Sequence, residues 1–257
     1  VPESAGEARA ELVAGGSMFM MAVGKSSLKN SIEAVENFAT EKGGPFNARI
    51  VWVHALSASA VFVRGDSEIQ TIYDIKPGHK WAVWSTTESV MRVPRGILDW
   101  VQVDHDDIHW INAGTSEGSV RAIAEGRADI TWFFPSSSMV YEAATAPHGI
   151  RFLDLNSDLD PEGAARFRER GAMYVFGPMT SGTGATPEAI GAGVIIGYKY
   201  NVTRAETDGE LVYHFAEWLD ENYDIYKATH ASNVDMSLEA LMISLENTYI
   251  PVHEGLR

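Results

Sequence analysis

The fold is decided at residues 80–134, a region that opens with KWAVWSTTES at residues 80–89. The first five residues are apolar and rich in β-formers, so residues 80–84 predict a strand. Serine, threonine and glutamate follow at once in residues 85–89, and these side chains favour the start of a helix. The stretch therefore predicts a strand that leads directly into a capped helix.

The same region then repeats this pattern. Residues 107–111 (DIHWI) predict a second strand, residues 113–118 (AGTSEG) a turn, and residues 119–125 a short helix that ends at Gly126. A third strand is predicted at residues 128–134. Strands that alternate with helices in this way are typical of a parallel sheet with crossover helices.

The turns that follow these strands form the predicted binding region. Ligands of open α/β sheets collect at the carboxyl ends of the strands, and Trp84, the turn at 113–118 and residues 134–138 (FPSSS) are expected there. A helix that starts at such a position directs unpaired backbone N–H groups and the positive end of its dipole at the ligand. The turn can therefore hold an anion or a carbonyl oxygen without a basic side chain.

Composition excludes several classes of partner and cofactor. The chain has 257 residues, of which 45% are hydrophobic, enough for a substantial core. Its 35 acidic and 20 basic residues give a net charge of −15, which disfavours nucleic acid and anionic membrane surfaces. There is no cysteine, and the eight histidines show no metal-binding spacing. No apolar run approaches the ~20 residues of a membrane span. We expect no cofactor, no metal and no membrane insertion.

The flanking sequence predicts two lobes. Strands are predicted at residues 48–54, 58–64 and 193–198, and residues 172–193, rich in glycine, proline, serine and threonine, suit a crossing between lobes. We assign residues 1–64 and 190–257 to lobe 1, and residues 65–189 to lobe 2. A helix predicted at residues 6–14 and the residues before it share a pattern with the helix predicted at residues 119–125, which is consistent with two similar lobes. The matching residues, at identical spacing, are Ser4, Gly6, Arg9 and Ala10 in the first and Ser116, Gly118, Arg121 and Ala122 in the second.

A long helix is predicted after residue 207. Thr207 and Glu210 have the spacing of a capping box. Apolar residues follow at helical spacing and predict the face that packs on the core; they are Leu211, Phe215, Trp218, Leu219 and Tyr226.

The order of several short motifs resembles one known family. The motifs are DSEI at 66–69, IYDIKPGHK at 72–80, the hydroxyl turn at 85–87, AEGRAD at 124–129 and IPVHEG at 250–255. In this order they resemble the TAXI solute-binding subunits of TRAP transporters, and the likeness covers nearly the whole chain.

This resemblance implies a fold and a function. The fold is the α/β, two-lobed type II periplasmic-binding-protein fold, in which each lobe is a mostly parallel sheet with flanking helices and the ligand cleft lies between the lobes. Members of the family capture a small organic anion, a carboxylate or an amino acid, and deliver it to TRAP membrane permease subunits. The resemblance therefore implies a periplasmic or extracellular protein that is not an enzyme, and we expect a monomer.

The sequence departs from the family pattern at three places. The family carries a Gly-Ser-Gly-Thr turn where this chain has residues 85–88, and a small-residue loop where it has residues 135–138. We therefore expect a ligand that differs from those of relatives. The family also opens with a strand, a loop and a helix, which we expect either to precede Val1 or to be replaced by another segment.

The candidate ligand-binding residues each have a structural alternative. Trp84 is either a core aromatic or a stacking wall for the ligand, and the hydroxyls of residues 85–87 either cap a helix alone or also contact the ligand. His54 is either a satisfied structural histidine or a ligand donor. The full set of candidates is Ser4, His54, Trp84, Ser85, Thr86, Thr87, Phe134 and Ser136.

Basic residues after the turn leave two readings open. Glu88 and Arg92 have the i, i+4 spacing of a surface ion pair. Alternatively, Arg92 or Arg95 clamps a carboxylate of the ligand.

Two other function classes were weighed. GTSEG at residues 114–118 matches the G-x-S-x-G pattern of a nucleophile elbow, which would make the protein a serine hydrolase with Ser116 as nucleophile. Ser116 is equally well explained as a helix cap. Aspartates and histidines follow in the order of an α/β-hydrolase triad; they are Asp154, Asp158 or Asp160, and His214, His230 or His253. A sensor lobe of a regulator uses the same fold but would need a DNA-binding or signalling segment, which this sequence does not contain.

Overall fold

The computed structural model describes residues 18–35, 45–170, 174–179, 190–229, 233, 235–245 and 250–257. The chain folds into two units: unit 1 comprises Val1–Ser57 and Tyr198–Arg257, and unit 2 comprises Ala58–Gly197. This division does not test the predicted lobe boundaries at residues 64/65 and 189/190, which remain a prediction. Ser4 and the predicted helix at residues 6–14, with its repeat, lie outside the described residues.

Strands and helices alternate along most of the described chain. In chain order they are β1 (Phe19–Gly24), α1 (Lys25–Glu33), β2 (Ala48–Arg64), β3 (Lys80–Val83), α2 (Glu88–Val101), β4 (His109–Asn112), α3 (Ser116–Ala124), β5 (Ile130–Phe133), α4 (Ser138–Thr145), β6 (Ile150–Leu153), α5 (Pro161–Arg170), β7 (Val175–Pro178), β8 (Gly193–Arg204), α6 (Gly209–Glu221), α7 (Tyr223–Lys227) and α8 (Leu238–Leu245). Single 3-10 turns occur at Ile72–Asp74, His105–Asp107 and Glu254–Leu256. The α/β class predicted from the sequence is confirmed.

The sheet of unit 2 contains the predicted parallel strands. β3 lies between β4 and β5 and runs parallel to both, with Val83 opposite Asn112 and Trp81 opposite Ile130. β2 pairs antiparallel with β5 on one side and with β6 on the other, so the sheet is mixed. The carboxyl ends of β3, β4 and β5 consequently meet at one edge.

Helices cover both faces of this sheet. Trp81 and Val83 of β3 share a buried cluster with α2 and α5, in which Phe167 is 1% exposed. Ala82 lies in a second cluster with α3 and α4. Successive side chains of a strand point to opposite faces, so the apolar run at residues 80–84 fits a strand that is buried on both sides.

The position of α2 is fixed by its contact with α5. Gly96 lies against Phe167, and a Cβ at Gly96 would come within 2.7 Å of two ring carbons. The Trp100 Nε1–H donates to a carboxylate oxygen of Asp160 at 2.8 Å. Asp160 also accepts from the backbone N–H of Gly163 at 2.8 Å, which caps the start of α5. These contacts hold the helix whose first turn follows β3.

Unit 1 is built around β1 and β8. The two strands pair antiparallel, with Phe19 opposite Thr203 and Gly24 opposite Lys199. α1 begins at Lys25, directly after β1. α6 packs on the 3-10 turn Glu254–Leu256, where a Cβ at Gly255 would overlap the backbone of Gly209. Only glycine allows this close approach of two backbones.

Two strands differ from the sequence-based expectation. Residues 48–64 form one strand where two were predicted, because the intervening Ala-Leu-Ser contains no glycine or proline to break it. β7, with Val175 opposite Ile196, lies within the stretch predicted as a crossing. Its four residues are too short to show a period in the sequence.

The predicted long helix is divided and faces the core differently. Asp208, not Thr207, is the N-cap of α6, since its carboxylate accepts from the N–H of Glu210 at 2.8 Å. α6 ends at Glu221 and α7 begins at Tyr223. The residues of α6 that are buried are Val212, Ala216 and Leu219, whereas Leu211 and Trp218 of the predicted apolar face are exposed. Among the described residues no helix is long and apolar enough to cross a membrane.

Candidate functional site

The turn after β3 leads into α2 as predicted. Thr87 is the N-cap, and its carbonyl oxygen accepts from the N–H groups of Val90 and Met91, each at 3.0 Å. The Ser85 hydroxyl accepts from the N–H of Thr87 at 3.2 Å, which stabilises the turn itself. Thr86 and Thr87 are exposed and Ser85 is partly exposed. The exposed hydroxyls of this turn therefore lie beside the N–H groups that a helix start leaves without intrahelical partners.

The Thr87 side chain makes no cap hydrogen bond, but two further helices of unit 2 start with a side-chain cap. Thr115 caps α3, and its hydroxyl oxygen accepts from the N–H of Gly118 at 3.0 Å. Ser137 caps α4, and its hydroxyl oxygen accepts from the N–H of Val140 at 3.3 Å. Each cap side chain satisfies one of the orphan N–H groups in the first turn of its helix.

These three helix starts follow adjacent parallel strands. β4, β3 and β5 are neighbours in the sheet, so the caps Thr115, Thr87 and Ser137 lie beyond the same edge. Each helix N-terminus carries about half a positive charge from its dipole. The backbone therefore contributes positive potential at this edge, where Glu88 and Glu117 also lie in the first turns of α2 and α3.

Aromatic side chains line the same edge of unit 2. The ring of Trp84 lies 4.6 Å from that of Trp132 and 5.4 Å from that of Phe133, measured between centroids. Phe134 packs 4.9 Å from Phe133. Trp84 and Phe134 remain partly exposed. The two readings of Trp84 are thus compatible, because one part of the ring packs on the core while another part is accessible.

Trp132 adds an unsatisfied donor to this aromatic group. The residue is 6% exposed, and its Nε1–H is buried without a hydrogen-bond partner among the described residues. A buried N–H without an acceptor costs about 1–3 kcal/mol. Trp132 was not among the candidates predicted from the sequence, because a tryptophan in a buried strand is expected to belong to the hydrophobic core.

The charged residues of α2 pair differently from the expected i, i+4 spacing. The Glu88 carboxylate forms an ion pair with Arg95 at 2.8 Å. Arg92, the predicted partner, is 6% exposed. The Arg95 guanidinium is thus held by a carboxylate of its own helix. In the loop after β5, Ser136 is exposed, and its contact with a ligand stays a prediction.

Among the described candidates, His54 on β2 belongs to unit 1. Its Nδ1 atom is buried and has no hydrogen-bond partner among the described residues. Burial lowers the pKa of His54, the neighbouring Asn201 side chain raises it, and the charge of Lys199 lowers it further. Burial also lowers the pKa of Lys199. His54 is therefore not a fully satisfied structural histidine, and it favours the neutral form.

The sequence reading missed three further groups near these candidates. Thr115 and Ser137 act as caps, and the available signal was a Ser or Thr between a predicted strand and a helical pattern. Asn201 on β8 is 3% exposed, and its Oδ1 has no hydrogen-bond partner within the described chain. No local pattern indicates this, because the environment of Asn201 comes from residues distant in sequence.

The nucleophile-elbow alternative finds little support around Ser116. Ser116 begins α3, and it is Thr115 that caps this helix. In the described part of unit 2 no histidine nitrogen bonds to the Ser116 hydroxyl: His105 contacts Asp99, and His148 contacts backbone carbonyls.

The remaining members of the hypothetical triad have other contacts. Asp160 caps α5, and Asp154 accepts from the N–H of Gly193. His214 pairs with Glu217, and His253 accepts from the N–H of Gly255. His230 lies outside the described residues. The described residues contain no group of three or more His, Asp or Glu side chains that could hold a metal ion.

Solved structures share the fold at low sequence identity. XAC2383 of Xanthomonas citri, described as bound to ATP, matches with 11% identity and a TM-score of 0.51 over 87% of this chain and 70% of that chain. A periplasmic sulfonate-binding protein of Methylobacillus flagellatus matches with 13% identity and a TM-score of 0.49 over 95% of this chain. The match spans 62% of that protein's length. A binding component of an ABC transporter from Wolinella succinogenes, complexed with lysine, has 11% identity and a TM-score of 0.49 over 92% of this chain and 75% of that chain.

Sequence comparison identifies the family. No curated protein matches the chain. The model of the NMT1-like family matches residues 3–257, which is almost the entire sequence. The chain therefore belongs to the NMT1-like family.

Proposed function

We propose that this protein is an extracytoplasmic solute-binding protein that captures a small organic anion, a carboxylate or an amino acid, for a TRAP-type transporter. It binds its ligand without catalysis and delivers it to the membrane permease. The TAXI-like order of motifs supports the transporter type, and membership of the NMT1-like family is consistent with it.

One observation carries the ligand class. Three helix N-termini, whose N-cap positions are Thr87, Thr115 and Ser137, follow adjacent parallel strands at one edge of the unit 2 sheet. Backbone N–H groups and helix dipoles bind anions without a fixed cationic side chain. A site of this kind suits a single carboxylate, because neutral donors hold the anion while the acidic surface repels bulk polyanions.

The aromatic group accounts for the organic part of the ligand. Trp84 presents a partly exposed ring beside the hydroxyl turn, and Phe134 presents another at the end of β5. Aromatic faces supply large contact areas to apolar or planar ligand groups. The buried Nε1–H of Trp132 has no partner among the described residues.

A thermal-shift screen of the purified chain tests this proposal. The panel contains monocarboxylates, dicarboxylates and amino acids. Alkyl sulfonates, lysine and ATP are added, because neighbouring folds carry ligands of those classes. A ligand at 100 times its Kd stabilises the native state by about 2.7 kcal/mol. We expect a rise in melting temperature with carboxylates or amino acids and none with ATP.

Variants assign the response to the proposed edge. We expect Trp84→Ala and Thr87→Pro to abolish the shift. Trp110→Ala serves as the matched control, because Trp110 is also a half-buried strand tryptophan of unit 2 but packs on Trp81. If no carboxylate or amino acid shifts the melting temperature, or if Trp84→Ala leaves the shift intact, the proposed site is wrong. Covalent labelling of Ser116 by a fluorophosphonate would instead favour the hydrolase.

A further inference from the structure

The outer surface of α6 and α7 carries a row of exposed apolar side chains. Leu211, Trp218 and Ile225 are 41%, 56% and 69% exposed. They are spaced by seven residues, and residues seven apart lie on one face of a helix two turns apart. We call Leu211, Trp218 and Ile225 the outer row.

Hydrogen bonds connect α6 and α7 at their junction. The N–H of Asn222 donates to the carbonyl oxygen of Trp218 at 3.0 Å, and the N–H of Tyr226 donates to that of Asn222 at 3.3 Å. Both bonds have the i→i−4 pattern of an α-helix. Asn222 itself has φ −105° and ψ 14°, which are not helical values, and it separates α6 from α7. Leu211 and Trp218 therefore share one face of α6, and Ile225 adds an exposed apolar side chain on α7.

The core of unit 1 does not explain this row. The inner face of α6 is already formed by Val212, Ala216 and Leu219, each less than 9% exposed. A surface helix of a globular protein ordinarily has one apolar stripe. A second stripe that contains an exposed tryptophan is typical of a protein-binding surface, where tryptophan contributes most to affinity.

Charge restricts the partner of this surface. Each member of the outer row follows an acidic residue, namely Glu210, Glu217 and Asp224. Asp220 and Glu221 lie on the same helix and are exposed. Two of these carboxylates have partners on the same helices: His214 contacts Glu217 at 3.1 Å, and Lys227 forms an ion pair with Asp224 at 2.6 Å. The helix thus presents an apolar seam with an acidic border.

We propose that the outer row binds a helix of another protein that carries apolar residues at seven-residue spacing between lysine or arginine side chains. Complementary charges at the flanks of a heptad seam select partner and orientation. A second copy of this chain would oppose acidic borders to each other, and an anionic membrane surface would be repelled in the same way. This surface lies wholly in unit 1, and the proposal does not depend on the ligand proposed above.

Binding of synthetic peptides to the full chain tests the proposal. The probe is a fluorescent 21-residue helical peptide with leucine at every seventh position and at the intervening heptad core positions, flanked by lysines. One comparison peptide has glutamate in place of lysine, and a second has serine in place of leucine. Fluorescence anisotropy at two salt concentrations measures affinity. We expect binding of the lysine–leucine peptide alone, and a weaker affinity at the higher salt concentration.

Variants of the chain assign that binding to the outer row. We expect Trp218→Ala and Ile225→Ser each to weaken the affinity at least tenfold. Leu159→Ala in unit 2, where Leu159 is 79% exposed, is the matched control and should leave the affinity unchanged. Circular dichroism verifies that each variant is folded.

Several results would overturn the proposal. It is wrong if the lysine–leucine peptide does not bind, or if Trp218→Ala and Ile225→Ser both bind as the parent does. It is also wrong if sedimentation shows self-association through this row, or if vesicles of anionic lipid bind the chain and lose it on Trp218→Ala.

Discussion

Replacement of Gly96 by alanine tests the packing that positions the first turn of α2. The added Cβ would lie 2.7 Å from two ring carbons of Phe167 and 3.2 Å from a third. Carbon atoms in contact are normally 3.5–4.0 Å apart, so the ring must withdraw by about 1 Å. It has little room, because its centroid lies 5.2 Å from that of Phe176 and 5.6 Å from that of Tyr174. Overpacking of a buried site costs about 1–3 kcal/mol.

The helix propensity of alanine opposes this cost. Alanine is favoured over glycine by about 1 kcal/mol inside a helix. Since Phe167 is 1% exposed and enclosed by other rings, we expect the steric term to prevail and the free energy of unfolding to fall by about 1–2 kcal/mol. For a chain of this size the melting temperature would fall by roughly 2–8 °C.

Urea unfolding followed by tryptophan fluorescence measures the change. Gly209→Ala is the matched control, because a Cβ there meets no atom closer than 3.7 Å, and we expect it to be neutral or slightly stabilising. In a Phe167→Leu background the effect of Gly96→Ala should shrink by at least half, as a double-mutant cycle would report. If Gly96→Ala alone is as stable as the parent or more stable, α2 and α5 do not pack as described.

Three further predictions concern caps and titrating groups. Thr115→Ala should lower the free energy of unfolding by about 1 kcal/mol through loss of the α3 cap. Ser116→Ala should change it by less than half as much. Equal effects of the two substitutions in urea unfolding would contradict the assignment of the cap to Thr115. Burial lowers the pKa of His54, so the native state disfavours the charged form of this side chain. The free energy of unfolding should therefore fall as pH drops below the unfolded pKa of about 6.5. A His54→Gln variant should lose this part of the pH dependence, and a stability profile between pH 7 and 5 that the variant leaves unchanged would refute the reasoning. The Arg64 guanidinium lowers the pKa of Asp66 to about 2. The stabilisation from this ion pair should therefore be present above the unfolded pKa of Asp66 and be lost as pH falls through about 2. In an NMR titration of the Asp66 carboxyl carbon, Arg64→Gln should return the pKa towards about 3.9, and an unchanged pKa would show that the pair is absent.

Much of unit 2 could be read from the sequence because its signals are local. The strand–helix alternation at residues 80–134 depends on apolar runs and on cap residues within a few positions of each other, and β3, α2, β4, α3 and β5 all occur in the predicted order. The hydroxyl turn could be placed for the same reason, since Thr87 caps the helix that follows its own strand. The wider set of caps was only partly anticipated, as Thr115 and Ser137 were not singled out.

Unit 1 contains features that local sequence patterns could not predict. Leu211, Trp218 and Val212 are all apolar, and two apolar stripes on one helix leave two possible inner faces. The choice depends on what packs against the helix, here the turn Glu254–Leu256 from the end of the chain. His54 and Asn201 are a second case, because their unsatisfied atoms arise from burial between strands that are distant in sequence.

The sequence by itself determined the alternation of strands and helices, the absence of cysteine chemistry, the acidic balance and the hydroxyl turn after Val83, because each depends on composition or on neighbours within one helical turn. Only the tertiary structure decided which edge gathers three capped helix starts, which donors remain without partners, and which side of α6 faces outward. Those outcomes depend on strand order and on packing between segments far apart in the chain, where a residue's own type no longer fixes its surroundings.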